Sequence, residues 1–516
     1  MNRVINVLSF GSNWKMSASR FVLLLSFTNT VLFNGALYAF LDSNLDLFSM
    51  SGILIAASVA VIVFLMNLFF ISLLTTVAHF SVKPLFIITS LINAVALYYL
   101  TSYQVILDKT MMGNIFNTRV SESIEFINSK LLVYIVFFSI LPSIFIFKIK
   151  VKPINRLRIV FNLFLLFVLS VFFLYVNSSS WLWIDKHAKL LGGKILPWSY
   201  LINSTRYYLD VSRTSKNQIL LPDGKFSDSQ KIAVVLVIGE TARANNFSLY
   251  GYDRDTNPLL NAEDLLIFDK TISCTTYTTA SVACMLSHDV DKSGYEPLPS
   301  YLTRIGAEVI WRTSNWGEPP IHVSKYQKTE ELKNNCNGQG CEFDEVLLTG
   351  INAEIESSDK QKIFIVLHTI GSHGPSYYSR YPSEFEKFTP VCRSEELSEC
   401  TQQELINAYD NTILYTDYFL NNAIQDLKNL NMPVMLIYAS DHGESLGEQG
   451  LYLHGTPFML APKYQKEIPF FVWRSKELIT LQGMNNEDIN SSGMFSHANI
   501  FHTIIGALGV TTEVYN

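Results

Sequence analysis

Two short motifs place ionisable side chains just beyond apolar runs. Gly239-Glu240-Thr241 follows the run Ile232 to Ile238, and Ser440-Asp441-His442-Gly443 follows Val434 to Tyr438. Together with Ile363 to His368, these short continuous apolar runs read as buried parallel strands, and such sheets bind ligands beyond the carboxyl ends of their strands. Two carboxylates and an imidazole converging there make a site for a divalent metal, and the mixed nitrogen and oxygen set suits zinc or manganese. Each motif alone also fits a helix N-terminal charge or a structural Asp-His pair.

A third stretch, Cys274 to Cys284 (CTTYTTASVAC), is rich in hydroxyls and bracketed by cysteines. Threonine is a poor nucleophile at its ordinary pKa, but a hydroxyl on a divalent metal loses its proton far more easily. The blander reading is a Thr-rich turn. Two histidines stand in loops of similar character: His373 in HTIGSHGPSYYSRYP and His454 in YLHGTP. Either fits protonation of a leaving group, stabilisation of phosphoryl oxygens or ligation of a second metal. His322, His368, His497 and His502 read as ordinary polar surface residues.

The elements that must hold these residues fall into two unlike parts. The 516 residues are 49% apolar and 16% charged, too apolar for a soluble chain and too charged for membrane throughout. Five apolar runs precede residue 178: Phe21 to Leu41, Gly52 to Val77, Leu85 to Leu100, Leu131 to Phe147 and Ile159 to Val176. Each is expected to span a bilayer, the shorter ones with their flanks. Lys15 and Arg20 precede the first run, and Lys148, Lys150, Lys152, Arg156 and Arg158 crowd the link between the last two. The positive-inside rule puts these loops in the cytoplasm, so five crossings leave everything after Val176 outside.

The six cysteines all lie after residue 270 in three close pairs without zinc-finger spacing, as expected of local disulfides in an oxidising compartment. A net charge of -6 and the lack of a basic, aromatic-laced stripe argue against nucleic acid as a partner. The expected organisation is therefore a transmembrane domain over 1–177, an interfacial linker over 178–230 marked by Trp181, Trp183, Trp198, Tyr207 and Tyr208, and an α/β catalytic domain over 231–516. The loop from Thr101 to Lys130 is longer than a connection needs and is expected to contribute to a substrate site.

Read together, VVLVIGETAR, CTTYTTASVAC, GSHGPSYYSRYP, SDHGESLGEQGLYLHGTP and the five preceding runs resemble the phosphoethanolamine transferases that modify lipid A, a family that includes the mobile colistin-resistance enzymes and belongs to the alkaline phosphatase and sulfatase superfamily. The resemblance covers nearly the whole chain. It implies a five-helix membrane domain followed by a sulfatase-like periplasmic domain on the bacterial inner membrane. It also implies that Glu240, Asp441 and His442 bind zinc and that Thr278, four residues after Cys274, is the zinc-bound nucleophile. One zinc is expected, with room for a second, and His373 and His454 match positions contacting the transferred group or that second ion. The implied disulfides are Cys274 with Cys284, Cys336 with Cys341, and Cys392 with Cys400.

Asn114, Thr118 and Glu122 keep the family's spacing for residues thought to hold the ethanolamine headgroup; without the resemblance they are one helical face at i, i+4 and i+8. Asn315, in WRTSNWGEPP, fits the family pattern, whereas Glu318 and Pro319 stand where some colistin-resistance members carry a lysine. The implied reaction is ping-pong: Thr278 takes phosphoethanolamine from phosphatidylethanolamine, and an acceptor, expected to be a lipid A phosphate, removes it. The expected protein is a monomer. The rivals are a phosphoglycerol transferase of the same architecture, transfer to a core sugar, glycan or protein, and a non-enzymatic module that kept the fold.

Overall fold

The computed structural model describes residues 15–117, 127–152, 156–177, 180–214, 218–292, 294–394 and 397–514. The described chain divides into two compact units, 1–112 with 127–206, and 113–126 with 207–516.

In the first unit, the apolar runs form α1 (Ala18–Leu32), α2 (Gly35–Asn44), α3 (Met50–Ala78), α4 (Val82–Ser102), α5 (Ser129–Lys148) and α6 (Arg156–Val176). The first run is not one straight helix: α1 and α2 meet at 55°. The break falls at Phe33-Asn34-Gly35, where the Asn34 amide donates to the Asn29 carbonyl at 3.0 Å and so satisfies an acceptor that the bend would leave bare. By length and composition, three described helices (α3, α4 and α5) can cross a membrane, or four if α1 and α2 make one span. α6, Arg156–Val176, is a further apolar helix of 21 residues, so each of the five expected apolar runs falls in a helical region.

Polar side chains buried among these helices find one another. Asn67 accepts from Asn29 (3.1 Å) and from the Trp198 indole (3.0 Å) and donates to Thr30, while Asn93 donates to Asn29 and accepts from the Tyr200 hydroxyl (3.0 Å). Inside an apolar layer, such mutual satisfaction is what makes buried amides tolerable.

The second unit is built on a seven-stranded sheet. Its strands are β1 (Ile232–Gly239), β2 (Leu265–Ile267), β3 (Glu308–Thr313), β4 (Lys325–Lys328), β5 (Lys362–His368), β6 (Val434–Ser440) and β7 (Phe470–Arg474), in the spatial order β2-β7-β6-β1-β5-β3-β4. From β6 to β4 all pairings are parallel; β7 and β2 are antiparallel. Strand β1 is buried along its whole length because both faces are covered. Ala233, Val235 and Val237 join one core layer, which includes Leu405, Tyr409, Leu420 and Ile424 of α8 (Gln402–Lys428), while Ile232, Val234, Leu236 and Ile238 join the other. At roughly 1.5–3 kcal/mol for each large apolar side chain buried, these layers hold the central strands rigidly.

Candidate active site

Register sets the site. Gly239 lies opposite Ser440, Ile238 opposite His368, and His368 opposite Thr313, so four parallel strands end side by side. The residues that follow, Glu240, Asp441-His442 and Asn315, therefore emerge along one edge of the sheet, and Thr278 opens helix α7 (Thr278–Met285) beside them.

Glu240 is the hub. Its Oε2 accepts from the Thr278 hydroxyl at 3.1 Å and from the Asn315 amide at 2.8 Å, and its Oε1 accepts from the Thr241 hydroxyl. The Thr278 Oγ1 is also 3.4 Å from His442 Nε2. Asp441 Oδ1 accepts from the backbone N–H groups of Thr241 (2.9 Å) and His442 (2.7 Å), tying the two strand ends together. The backbone packs so tightly here that a Cβ on Gly371 would stand 2.8 Å from the Glu240 carbonyl, and Gly371 has a φ of +46°. Asp344 secures that turn by accepting from the N–H groups of Ile370 and Gly371, both at 2.9 Å.

The histidines close the other side. The His454 ring is 4.3 Å from the His442 ring and 5.7 Å from that of His373. His454 Nδ1 lies 3.3 Å from Glu444 Oε1, and Glu444 Oε2 accepts from the Tyr377 hydroxyl at 3.1 Å. Burial pushes Glu240 up to about 7 and Asp441 up to about 6, in Glu240 with help from the neighbouring Asp441. Burial, then the neighbouring His454 charge, lowers His442 to about 3, and burial likewise takes His373 well below the ordinary imidazole value. Burial lowers His454 too, but the carboxylates of Glu444, Glu240 and Asp441 outweigh it and raise the imidazole to about 9.

This donor set fits a divalent cation. One ligand atom each from Glu240, His442 and His454 lie within 4.8 Å of one another. Asp441 Oδ2 is buried with His442 Nε2 3.2 Å away but no aligned hydrogen bond, and Glu444 Oε1 has none beyond its unaligned approach to His454. Buried carboxylate oxygens left this way are costly unless a positive charge meets them.

The structure thus brings together Glu240, Thr278, Asn315, His373, Asp441, His442 and His454. Asn114 lies on the helix Lys109–Asn117, half-buried, while Thr118 and Glu122 fall outside the described residues. All three cysteine pairs are joined, Cys274–Cys284, Cys336–Cys341 and Cys392–Cys400. His368 and His497 are not surface residues as expected but fully buried, and His497 is a structural bridge: its Nδ1 accepts from the Cys274 N–H at 3.2 Å and its Nε2 meets the Ser440 carbonyl at 2.9 Å. Glu444 escaped the sequence reading, although it stands three residues beyond Asp441 in the same motif. Arg243 did too; it is buried, and its guanidinium reaches the Glu444 carbonyl (3.1 Å) and Glu448 (2.6 Å), linking the loops beyond β1 and β6.

The sheet that carries these threonine, carboxylate and imidazole groups at its carboxyl edge is a sulfatase-class domain: residues 233–510 match the sulfatase family model. Residues 53–211 match the model described as phosphoethanolamine transferase EptA/EptB. The phosphoethanolamine transferase EptA of Helicobacter pylori is 40% identical over 81% of this chain and 80% of its own length. The phosphatidylethanolamine transferase Mcr-1 of Escherichia coli is 32% identical over 81% of this chain and 83% of its own. In structure, the integral membrane lipooligosaccharide phosphoethanolamine transferase A of Neisseria meningitidis superposes with a TM-score of 0.87 at 28% identity, covering 98% of both chains. The chain belongs to the phosphoethanolamine transferase family.

Proposed function

We propose that this protein moves phosphoethanolamine from phosphatidylethanolamine to lipid A through a covalent intermediate on Thr278. The observation that carries this reading is the position of the Thr278 hydroxyl, which opens a helix within 3.1 Å of Glu240 and 3.4 Å of His442. The relatives include a phosphatidylethanolamine transferase and a lipooligosaccharide phosphoethanolamine transferase, which supports the donor and the acceptor.

Glu240, Asp441 and His442 would hold a zinc ion beside Thr278, leaving His454 to carry a proton. Bound there, zinc supplies Lewis acidity that eases loss of the hydroxyl proton and offsets phosphoryl charge. In the first half-reaction the Thr278 hydroxyl releases its proton to solvent as its oxygen bonds to phosphorus, the bond to the diacylglycerol oxygen breaks, and that oxygen leaves with a proton. His454, kept positive by Glu444, holds a proton for it at the ring edge, while neutral His373 and the start of α7 face the phosphoryl oxygens. In the second half, a lipid A phosphate oxygen bonds to phosphorus and the Thr278 oxygen departs, recovering its proton.

Residues 1–177 serve as the anchor in the bacterial inner membrane with the N-terminus in the cytoplasm, 178–230 as a linker at the interface, and 231–516 as the periplasmic catalytic domain, all in one monomer. Asn114, Thr118 and Glu122 bear on the donor headgroup. The test is to incubate the purified full-length protein with phosphatidylethanolamine, lipid A and zinc, and weigh the lipid products. Lipid A carrying phosphoethanolamine is the expected product; a phosphoglycerol product from phosphatidylglycerol alone would reverse the reading.

A further inference from the structure

The loop beyond β3 packs against Glu240 and Thr278, and it carries a carboxylate that the mechanism does not use. Asn315 donates to Glu240, and two residues on, Gly317 turns the chain with a φ of +109°. A Cβ built on Gly317 would stand 3.3 Å from the methyl groups of both Thr278 and Thr279, so the backbone touches the nucleophile at this point. Glu318 follows immediately. Its Oε1 accepts from the Tyr326 hydroxyl at 2.5 Å, which fixes the carboxylate, but its Oε2 is enclosed and has no hydrogen-bond partner.

We propose that Glu318 is the specificity residue for the amine of the transferred group, with Oε2 receiving the ammonium of phosphoethanolamine while its phosphorus is at Thr278. The inference rests on the transfer reaction proposed above. An enclosed, unpartnered carboxylate oxygen is costly until a cation or donor meets it, and a primary ammonium supplies both charge and protons. Only two methylenes separate the ammonium from the phosphate ester oxygen, so the carboxylate that reads it must lie close to the nucleophile, and Glu318 is the residue directly after Gly317, which packs on Thr278. A glycerol headgroup carries no charge to satisfy Oε2, so the same residue discriminates between the two phospholipid donors. Tyr326 is a positioning residue for it.

The experiment compares O-phosphoethanolamine with ethyl phosphate, which lacks only the amine, by calorimetric titration of the zinc-loaded full-length protein. Wild type is expected to favour phosphoethanolamine by about tenfold to a hundredfold, the usual worth of a hydrogen bond to a charged group. In Glu318→Gln the preference should fall close to one while ethyl phosphate binds as before. Tyr326→Phe should give an intermediate preference with ethyl phosphate unchanged, and it decides the matter should Glu318→Gln not fold. A preference that survives both substitutions, or is absent from wild type although both esters bind, overturns the assignment of Glu318. Failure of wild type to bind either ester overturns the underlying transfer reading along with it.

Discussion

Replacing Asn315 with alanine removes a donor that the structure aims at the hub of the site. The Asn315 side chain is buried, and its amide gives 2.8 Å to Glu240 Oε2 and 3.0 Å to the Thr369 carbonyl. A hydrogen bond to a charged group contributes about 1.5–3 kcal/mol, and outer partners of metal ligands typically carry about 10–100-fold in affinity. The two ranges agree, since about 1.4 kcal/mol is a tenfold change. Zinc affinity of Asn315→Ala, read by competition against a chromophoric chelator at pH 7.5, should therefore drop by at least about tenfold. Loss of the bond to Thr369 should lower global stability by only about 1 kcal/mol, so the variant should still melt cooperatively. A folded variant that binds zinc within twofold of wild type would refute the idea that Asn315 orients Glu240 for a cation.

Zinc binding itself should weaken as pH falls from 8 to 5.5, because Glu240 near 7 and Asp441 near 6 bind protons that compete with the metal, and calorimetry in two buffers should detect their release; a flat profile would contradict this. Asp417, buried against the N–H groups of Leu259 and Leu260, is raised to about 7. Its folded value exceeds its unfolded one, so its contribution is complete below about 4 and lost as pH rises through 7, and Asp417→Asn should flatten denaturation midpoints across that window. Replacing Cys274 and Cys284 with serine opens a loop of 10 residues' separation and should cost about 3 kcal/mol in urea unfolding. Loss of less than about 1 kcal/mol would contradict a loop-closure contribution from this disulfide.

The parts of this protein that were plain in its sequence are those where one physical demand dominates. Strands β1, β5 and β6 are buried on both faces, so they read as unbroken apolar runs, and the residues just beyond them announced Glu240, Asp441 and His442. Strand β4, Lys-Tyr-Gln-Lys, sits at the sheet edge with mostly exposed side chains and carries no such signal. Strand β7 is apolar but antiparallel, and nothing in Phe470–Arg474 distinguishes its direction. The bend between α1 and α2 was hidden because both halves are apolar; only Asn34-Gly35 marked it. Glu444 was overshadowed by the Asp-His pair before it, since its importance comes from Tyr377 and His454, which lie 67 residues before it and 10 after it and reach it only in the fold.

The central claim is that Thr278 carries the transferred group. Intact-mass analysis with peptide mapping, after incubating the full-length protein with zinc and phosphatidylethanolamine and no acceptor, tests it most directly. The account predicts a phosphoethanolamine increment on the peptide holding Thr278, and none in Thr278→Ala. An increment that persists in Thr278→Ala, or a phosphoglycerol adduct formed only from phosphatidylglycerol, would contradict it.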